Sequence, residues 1–322
     1  MNQLSSYRPT PIFSASNIVS LIVNKNQNIL LPINNSVTPF NPPSLLLKLT
    51  IGLIGVFAFW QVYSIQAILP VWMVEFLATE VQAGMIVGAT ILAIAIMSPF
   101  LGMLSDAVGR KSFVVGALLF LTVPTALIAQ SPDIEWIGIW RFIQGLSVPG
   151  ITVVIIAYIG EEFKGQSITE LMSFYVSGAV LGGFMGRFLL GHLHEFFGWR
   201  NAYYVLAVLT FMSALWVAKT LPASSHFEAI PNVRSAITML GAHLVNRYVV
   251  TACLLGACVL FSLVCCFNFI NVYLAHSPYD LGTGALANIF SVYLVGVVIT
   301  PLSTMLLRRF GSARTIIGAV II

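Results

Sequence analysis

The ten residues Gly102–Lys111 read GMLSDAVGRK and form a short charged stretch between two long apolar runs. The preceding run, 81–101, and the following run, 112–130, contain no Asp, Glu, Lys or Arg. Each run has about the 20 residues that an α-helix needs to cross a hydrocarbon core of ~30 Å. We therefore expect two membrane helices joined by a turn that lies in water or among lipid headgroups. Asp106 and Arg110 are four residues apart, so a helical turn would place their opposite charges side by side.

The composition is that of a membrane protein. Of the 322 residues, 58% are hydrophobic and only 8% are charged, whereas charged residues make up about 25% of an ordinary soluble domain. The net charge of +4 gives no indication of a nucleic-acid partner. The four cysteines lie within 253–266 without the histidine spacing of a metal site, and we interpret them as small packing residues. The sequence predicts an all-α membrane protein with no cofactor, no metal and no enzymatic constellation.

Apolar runs of membrane-spanning length follow one another after residue 45. The predicted spans are 46–70, 82–104, 112–130, 134–159, 168–192, 200–220, 248–275 and 284–307. A ninth run begins near 313, and its roughly ten residues reach only ~15 Å, half of a membrane. We therefore interpret the chain as truncated after about eight and a half helices.

The spans divide the chain into four predicted parts. Residues 1–45 are rich in Asn, Ser and Pro and are interpreted as a disordered cytoplasmic tail, with a natural start near Lys48 as the alternative. Residues 46–220 are predicted to form an N-terminal six-helix bundle. Residues 221–247 are predicted to form a cytoplasmic loop, and residues 248–322 an incomplete C-terminal bundle.

The distribution of Lys and Arg predicts the orientation of the chain. With the N-terminus in the cytoplasm, 12 of the 15 basic residues lie on the cytoplasmic side, Arg141 and Arg187 lie within spans, and one lies outside. This distribution agrees with the positive-inside rule. We therefore expect the chain to cross a membrane several times, with Glu80, Asp133 and Glu195 on the outer side.

The charged stretch resembles the signature loop G-x-x-x-D-x-x-G-R-K of the major facilitator superfamily, which joins that family's second and third membrane helices. The matching residues are Gly102, Asp106, Gly109, Arg110 and Lys111. A repeat supports the resemblance, because Pro99–Phe120 and Pro301–Ile322 share a proline and two glycines in register, as parallel repeats would. The resemblance implies the major facilitator fold and a gating loop that meets the second bundle. Glu161 or Glu162 is expected as a further member of this cluster.

The fourth predicted helix carries a second motif, Arg141-Phe142-Ile143-Gln144-Gly145, which resembles the R-x-x-Q-G signature of many proton-coupled exporters. Arg141 lies ~10 Å from the outer end at 1.5 Å per residue, where an unpaired charge costs up to ~3 kcal/mol. Gln144 shares its helix face, which favours a polar cavity wall. Snorkelling of the arginine to the headgroups is the alternative. Arg187, ~8 Å from the outer end of the fifth predicted helix, is open to the same two interpretations.

A glycine-rich stripe marks the fifth predicted helix, and it consists of Gly178, Gly182, Gly183 and Gly186. Glycines four residues apart let helices approach closely in lipid, so we predict a helix-packing face. The stripe also resembles the fifth-helix signature of antiporter branches of the superfamily. It departs from that signature because Gly183 follows Gly182 where proline is usual.

Amides within the spans are further candidate cavity residues: Gln61 and Gln66 on the first predicted helix, and Asn268 and Asn271 on the seventh. Uncharged amides in a membrane prefer a wet cavity or a neighbouring helix. No Asp or Glu falls in the middle of a predicted span. The candidate proton carrier is therefore Glu75, just beyond the first span, unless the carrier lies in further helices or does not exist.

By this resemblance, the chain is similar to the drug-antiporter and sugar-efflux-like branch of the superfamily. The resemblance implies a location in a bacterial inner (plasma) membrane and transport of a small solute by alternating access. Proton-coupled efflux is the first expectation, and facilitated uptake of a sugar or metabolite is the second. A transport-inactive, truncated remnant is an alternative of a different kind. The implied partners are a small-molecule substrate, protons and the lipid bilayer, and a monomer is expected.

Overall fold

Every secondary-structure element in the described part of the chain is a helix. The computed structural model describes residues 43–224, 245–295, 309, 310 and 318, apart from the side chains of Met103, Asp106 and Ala107. The α-helices are α1 (Leu45–Tyr63), α2 (Leu69–Glu75), α3 (Glu80–Val108), α4 (Arg110–Ile128), α5 (Ile134–Glu162), α6 (Gln166–Thr220), α7 (Arg247–Ala275) and α8 (Thr283–Ile289). Two 3-10 helices, Ser64–Ala67 and Phe290–Val292, follow α1 and α8. The predicted tail, most of the predicted loop 221–247 and nearly all of the predicted ninth helix lie outside the described residues.

The longest helix, α6, contains two of the predicted membrane spans. Its 55 residues would extend about 82 Å at 1.5 Å per residue, more than twice a hydrocarbon core of ~30 Å. Gly198 (φ 76°, ψ 158°) interrupts the helical backbone, and glycine adopts such a positive φ without a Cβ clash. The bend separates the fifth span from the sixth. Six described helices, α6 among them, are long and apolar enough to cross a membrane.

The first membrane span is broken, whereas the sequence predicts one helix over 46–70. α1 ends at Tyr63, a 3-10 turn follows, and α2 begins at Leu69. Pro70 lies in the first turn of α2, where its missing N–H group costs no hydrogen bond. The break leaves the last carbonyl groups of α1 without partners inside the helix. In a membrane these groups must be bonded by neighbouring helices.

The charged stretch Gly102–Lys111 is almost entirely helical, so the prediction of a ten-residue turn is wrong. α3 continues to Val108 and α4 begins at Arg110, and Gly109 (φ 94°) alone joins them. The positive φ of Gly109 is a backbone conformation that glycine adopts without a Cβ clash, so the helix is interrupted at this residue. Because Gly109 interrupts the helix, Asp106 and Arg110 do not share one helical turn. The Asp106 side chain itself lies outside the described residues.

The helices meet at two polar ends, which we name after Glu75 and Arg110. The Glu75 end comprises 76–79, 129–133, the bend at Gly198 and 276–282, and the Arg110 end comprises Gly109, 163–165 and 221–224. At the Glu75 end, the side chains of Thr79 and Asp133 cap α3 and α5. At the Arg110 end, Lys48 on α1 pairs with Glu170 on α6 at 2.5 Å. These caps and pairs place the polar groups where helices leave the membrane.

Most of α7 is exposed in the described structure, and its buried residues are Asn271 and Val272. Of its cysteines, Cys265 is half-buried and the others are exposed. The interpretation of the cysteines as packing residues therefore stays a prediction. α7 approaches the first six spans near the Glu75 end, and its buried asparagine identifies the place of contact.

Candidate functional site

Two arginines within the membrane spans, Arg141 on α5 and Arg187 on α6, are completely buried. The snorkelling interpretation is therefore wrong for both, because a snorkelling guanidinium reaches the headgroups. In the described part of the chain, neither arginine has a carboxylate partner, and the arginine–carboxylate pairs are Arg110–Glu161 and Arg200–Glu75. Each buried arginine is instead surrounded by neutral groups, and the two surroundings differ.

Arg141 bonds the carbonyl groups that the break in the first span sets free. One terminal nitrogen donates to the carbonyl oxygen of Gln61 at 2.7 Å and to the side chain of Gln144 at 2.9 Å. The other donates to the carbonyl oxygen of Val62 at 2.8 Å. These carbonyls belong to the last turn of α1, where intrahelical partners are missing. We call this arrangement the Arg141 clamp.

A buried polar core lies beside the Arg141 clamp and joins four spans of the first bundle. The side-chain oxygen of Gln61 accepts hydrogen bonds from Thr125 at 3.2 Å and from Gln144 at 3.3 Å. Its nitrogen donates to Thr210 at 2.6 Å. Gln61, Gln144 and Arg141 thus lie inside the six-span bundle. They are packed and fully buried in this conformation, and their role as cavity residues stays a prediction.

Gly145 allows the part of α5 that contains the Arg141 motif to pack closely against α3. A Cβ at Gly145 would overlap the carbonyl group of Thr90 and lie 2.7 Å from the Ala93 Cβ. The Thr90 hydroxyl donates to the carbonyl oxygen of Arg141 at 3.0 Å. The glycine therefore permits the close approach that brings this hydrogen bond across the two helices.

The glycine stripe brings the fifth span against the backbone of α1. A Cβ at Gly178, Gly182 or Gly186 would lie 2.6 Å or less from a carbonyl oxygen of α1, and real Cβ atoms do not approach so closely. Gly183 differs from its neighbours, because a Cβ there would meet the Arg187 side chain at 3.4 Å. Three of the four glycines thus serve helix packing, and the fourth borders the second buried arginine.

Arg187 lies among three aromatic rings. Its guanidinium carbon is 4.2 Å from the ring centroid of Tyr63, 4.7 Å from that of Phe290 and 4.4 Å from that of Tyr293. Its nitrogens donate to the Gly183 carbonyl oxygen at 2.6 Å and to the Tyr293 hydroxyl at 3.2 Å. Aromatic faces attract a desolvated cation by about 2 kcal/mol. The charge is thus stabilised without a counter-ion.

Gln66, in the break of the first span, joins Arg187 to α7. Its side-chain oxygen accepts from the Arg187 Nε at 2.5 Å, and its nitrogen donates to Asn268 at 2.6 Å. Its carbonyl oxygen accepts from the side chain of Asn271 at 3.1 Å. The first, fifth, seventh and eighth spans therefore meet at one polar group of residues. We call this group the Gln66–Arg187 cluster, and its members are Tyr63, Gln66, Arg187, Asn268, Asn271, Phe290 and Tyr293.

The sequence does not identify two members of this cluster, Phe290 and Tyr293, as site residues, because they lie in a long apolar run. They are three residues apart, which places them on one face of a helix, and this spacing is the signal that the sequence offers. The structure brings together Gln66, Arg187, Asn268 and Asn271, which were predicted separately. It separates Gln61 and Gln144 from them.

Near the cluster, a cleft of about 520 Å³ opens at the Glu75 end. Glu195 closes one side of it by accepting a hydrogen bond from the backbone N–H of Gly284 at 2.6 Å. Glu75, the candidate proton carrier, binds the Trp199 indole and the Arg200 guanidinium, each at 2.6 Å. In the described residues, no group of three or more His, Cys, Asp or Glu could hold a metal ion.

At the opposite end, Arg110 fixes the charged stretch to α5. It forms a fork with the Glu161 carboxylate, with nitrogen–oxygen distances of 3.0 Å and 2.5 Å. It also donates to the carbonyl oxygen of Gly102 at 3.1 Å and to the Ser105 hydroxyl. Of the two glutamates expected near the gating loop, Glu161 is the one that binds Arg110 in this fork.

The chain is similar to transporters over most of its length. The family model described as Major Facilitator Superfamily matches residues 51–322. An uncharacterized transporter of Buchnera aphidicola subsp. Schizaphis graminum is 30% identical over 267 residues, which are 83% of this chain and 64% of that protein. The inner membrane transport protein YnfM of Escherichia coli is 31% identical over 258 residues, which are 80% of this chain and 62% of that protein. The chain thus spans less than two thirds of the length of these relatives.

A solved structure shares the fold. The inward-facing, unoccupied form of a bacterial homologue of the human lysosomal transporter Spinster superposes with a TM-score of 0.68 at 16% identity. The alignment covers 82% of this chain and 62% of that chain. These relatives and this structure are transporters and not enzymes. The family model, the relatives and the shared helical fold together show that this chain belongs to the Major Facilitator Superfamily.

Proposed function

We propose that the whole protein moves a small solute across the membrane by alternating access, and that the solute binds at the Gln66–Arg187 cluster. The position of the cluster carries this proposal. Its members come from both groups of spans: Tyr63, Gln66 and Arg187 from the first six, and Asn268 and Tyr293 from the seventh and eighth. A site built from both groups is closed while they are in contact and opens to the solute when they separate. Membership of a transporter family supports the same function.

The domain organisation that we propose is a six-helix bundle over 46–220 and a second bundle that begins at 248. We further propose that the N-terminus is cytoplasmic and the protein is monomeric. The Arg110 end carries Lys48, Lys111, Lys164 and Lys219, whereas the Glu75 end carries Glu80, Asp133 and Glu195. The positive-inside rule then places the Glu75 end outside. In the inner membrane that end would face the periplasm.

Proton-coupled efflux is the direction of transport that we propose. A multi-drug resistance efflux pump of Streptococcus pneumoniae is 29% identical over 41% of this chain, and the Arg141 motif resembles that of exporters. Arg141 keeps its charge at any physiological pH and cannot carry the proton. Glu75 is the carboxylate that we propose for this role. Uptake is the second candidate, because a sialic acid transporter of E. coli is 27% identical over 46% of the chain.

The direction is tested in inverted membrane vesicles that contain the whole protein and have an acidic interior. An antiporter that exports its solute would accumulate it in such vesicles, and Glu75→Gln would abolish the dependence on the pH gradient. Accumulation only in right-side-out vesicles would favour uptake. Vesicles with the 322-residue chain alone test the remaining possibility, a remnant that inserts without transporting.

The site is tested with Gln66→Leu in the whole protein. The variant keeps the volume but removes hydrogen bonds to Arg187 and Asn268, so we expect the transport rate to fall at least tenfold. Gln130→Leu is the matched control, because Gln130 is an exposed amide at a helix end. Transport by Gln66→Leu at the rate of the control, with equal amounts in the membrane, would contradict the proposed site.

A further inference from the structure

We propose that Arg187 binds an anionic group of the transported solute, so that the substrate is a small organic anion such as a carboxylate or phosphate ester. This inference rests on the proposed function and names its substrate class. The six spans before residue 221 are called the first group, and α7 with α8 the second group.

The charge of Arg187 has no counter-ion in the described structure. The side chain is completely buried, and a guanidinium stays protonated in proteins. Its partners are an amide, a carbonyl, a hydroxyl and three rings, all of them neutral. A buried charge is normally paired with an opposite charge or coordinated. The chain has no Asp or Glu after Asp280, so the α8 region supplies no carboxylate.

The partners of Arg187 are divided between the two groups of spans. Gln66, Gly183 and Tyr63 belong to the first group and stay with Arg187 when the groups separate. Phe290 and Tyr293 belong to the second group and leave, taking two ring faces and one hydrogen bond with them. The guanidinium then faces the opened space with an unpaired charge. A carboxylate or phosphate is the group that best replaces the lost partners, because it accepts two parallel N–H bonds from the planar fork.

The rest of the cluster suits the body of such a solute. The Tyr63 ring offers an apolar face beside the guanidinium, and the amides of Gln66 and Asn268 offer donors and acceptors. Arg141 is not equivalent to Arg187. Its donors bind carbonyl groups of α1 within the first group, so separation of the groups does not release them.

The first test measures charge selectivity in the unaltered whole protein, purified in detergent. Binding of benzoate is compared with that of benzamide, and binding of glucuronate with that of glucose, by isothermal titration. Each pair differs in the carboxylate and little in shape. We expect the anion to bind roughly tenfold or more tightly in at least one pair, since a hydrogen bond to a charged group contributes a factor of this order. Equal or weaker binding of the anion in both pairs would overturn the proposal.

The second test assigns that preference to Arg187. Arg187→Gln should remove the preference for the anion, so that benzoate binds like benzamide and glucuronate like glucose. Arg200→Gln is the matched control, because Arg200 lies at the Glu75 end in a half-exposed pair with Glu75. A preference that survives Arg187→Gln, or one that Arg200→Gln removes, would place the anion elsewhere. If Arg187→Gln does not fold, Arg187→Lys keeps the charge but lacks the planar fork and should weaken the preference for the anion, and a preference left unchanged by Arg187→Lys would then overturn the assignment.

The third test concerns competition with α8. Tyr293→Phe keeps the ring but removes the hydroxyl that accepts from Arg187, so anions should bind several-fold more tightly. Tyr273→Phe is the control, because Tyr273 is exposed on α7. Unchanged anion binding in Tyr293→Phe would contradict the competition. The proposed function fails separately: a whole protein that transports only neutral solutes overturns the anion site alone, whereas one that transports nothing in either charge class overturns both.

Discussion

At the scale of single residues, the molecule uses two buried arginines for different purposes. Arg141 bonds backbone carbonyls where the first span is broken, and it thereby supplies the hydrogen bonds that the membrane cannot. Arg187 bonds side chains from both groups of spans. The first arginine stabilises one bundle, and the second joins the two groups. Substitution of Arg141 should therefore affect stability, whereas substitution of Arg187 should affect solute binding.

We predict that Arg141→Lys destabilises the chain by about 2 kcal/mol, because the ammonium cannot reach both carbonyls and each lost bond to a charged group costs about 1.5–3 kcal/mol. Arg141→Ala should cost more. The measurement is the unfolding midpoint of the purified chain in detergent. Arg200→Lys is the control, and its half-exposed pair should change stability by less than about 1 kcal/mol. A midpoint unchanged by Arg141→Lys would show that the clamp is not needed.

At the scale of helices, the close contact between α1 and the fifth span depends on glycine. Gly182 lies against the α1 backbone, where a Cβ would overlap a carbonyl group, whereas the adjacent Gly183 has room for a Cβ at ordinary distances. In lipid the attraction between helices comes mainly from such packing. The two neighbouring glycines thus form a natural comparison.

We predict that Gly182→Ala lowers the stability of the chain by roughly 1–3 kcal/mol, the usual cost of overpacking. Gly183→Ala should change it by less than about 1 kcal/mol, because alanine favours the helix and meets no backbone there. Thermal unfolding in detergent and the amount of chain in the membrane measure both. Equal effects of the two substitutions would contradict the packing role of the stripe.

The sequence located the helices but not their interruptions. Runs of about 20 apolar residues are required by the membrane, so the spans follow from composition. The ends of these helices depend on single residues and on neighbouring helices. α3 ends at Gly109. α1 can end inside the membrane because Arg141 bonds the carbonyl groups at its end. Gln66 and Arg187 were predictable as polar exceptions within apolar spans. Their meeting with Phe290 depends on tertiary packing, which no local pattern records.

At the scale of the whole molecule, the segregation of charge predicts the topology. In a chain without its four native cysteines, single cysteines replace Glu80 and Lys164, which are exposed at opposite ends. An impermeant thiol reagent applied to intact cells should label position 80 and not position 164. Permeabilised cells, in which both should react, are the control. Labelling at 164 alone would invert the proposed orientation.

The partners of Arg187 also become available at different times during synthesis of the protein. Gln66 precedes Arg187 by 121 residues and Tyr293 follows it by 106. When the fifth span leaves the ribosome, the first span is already in the bilayer, whereas α8 has not yet been translated. Arg187 lies nearer the end of its span than the centre, where an arginine costs ~2.5–3.5 kcal/mol in the translocon, so the cost of inserting it is at most of that order. Gln66 and Tyr63 are the partners that are already present, so we expect the first span to offset part of the cost of inserting the fifth.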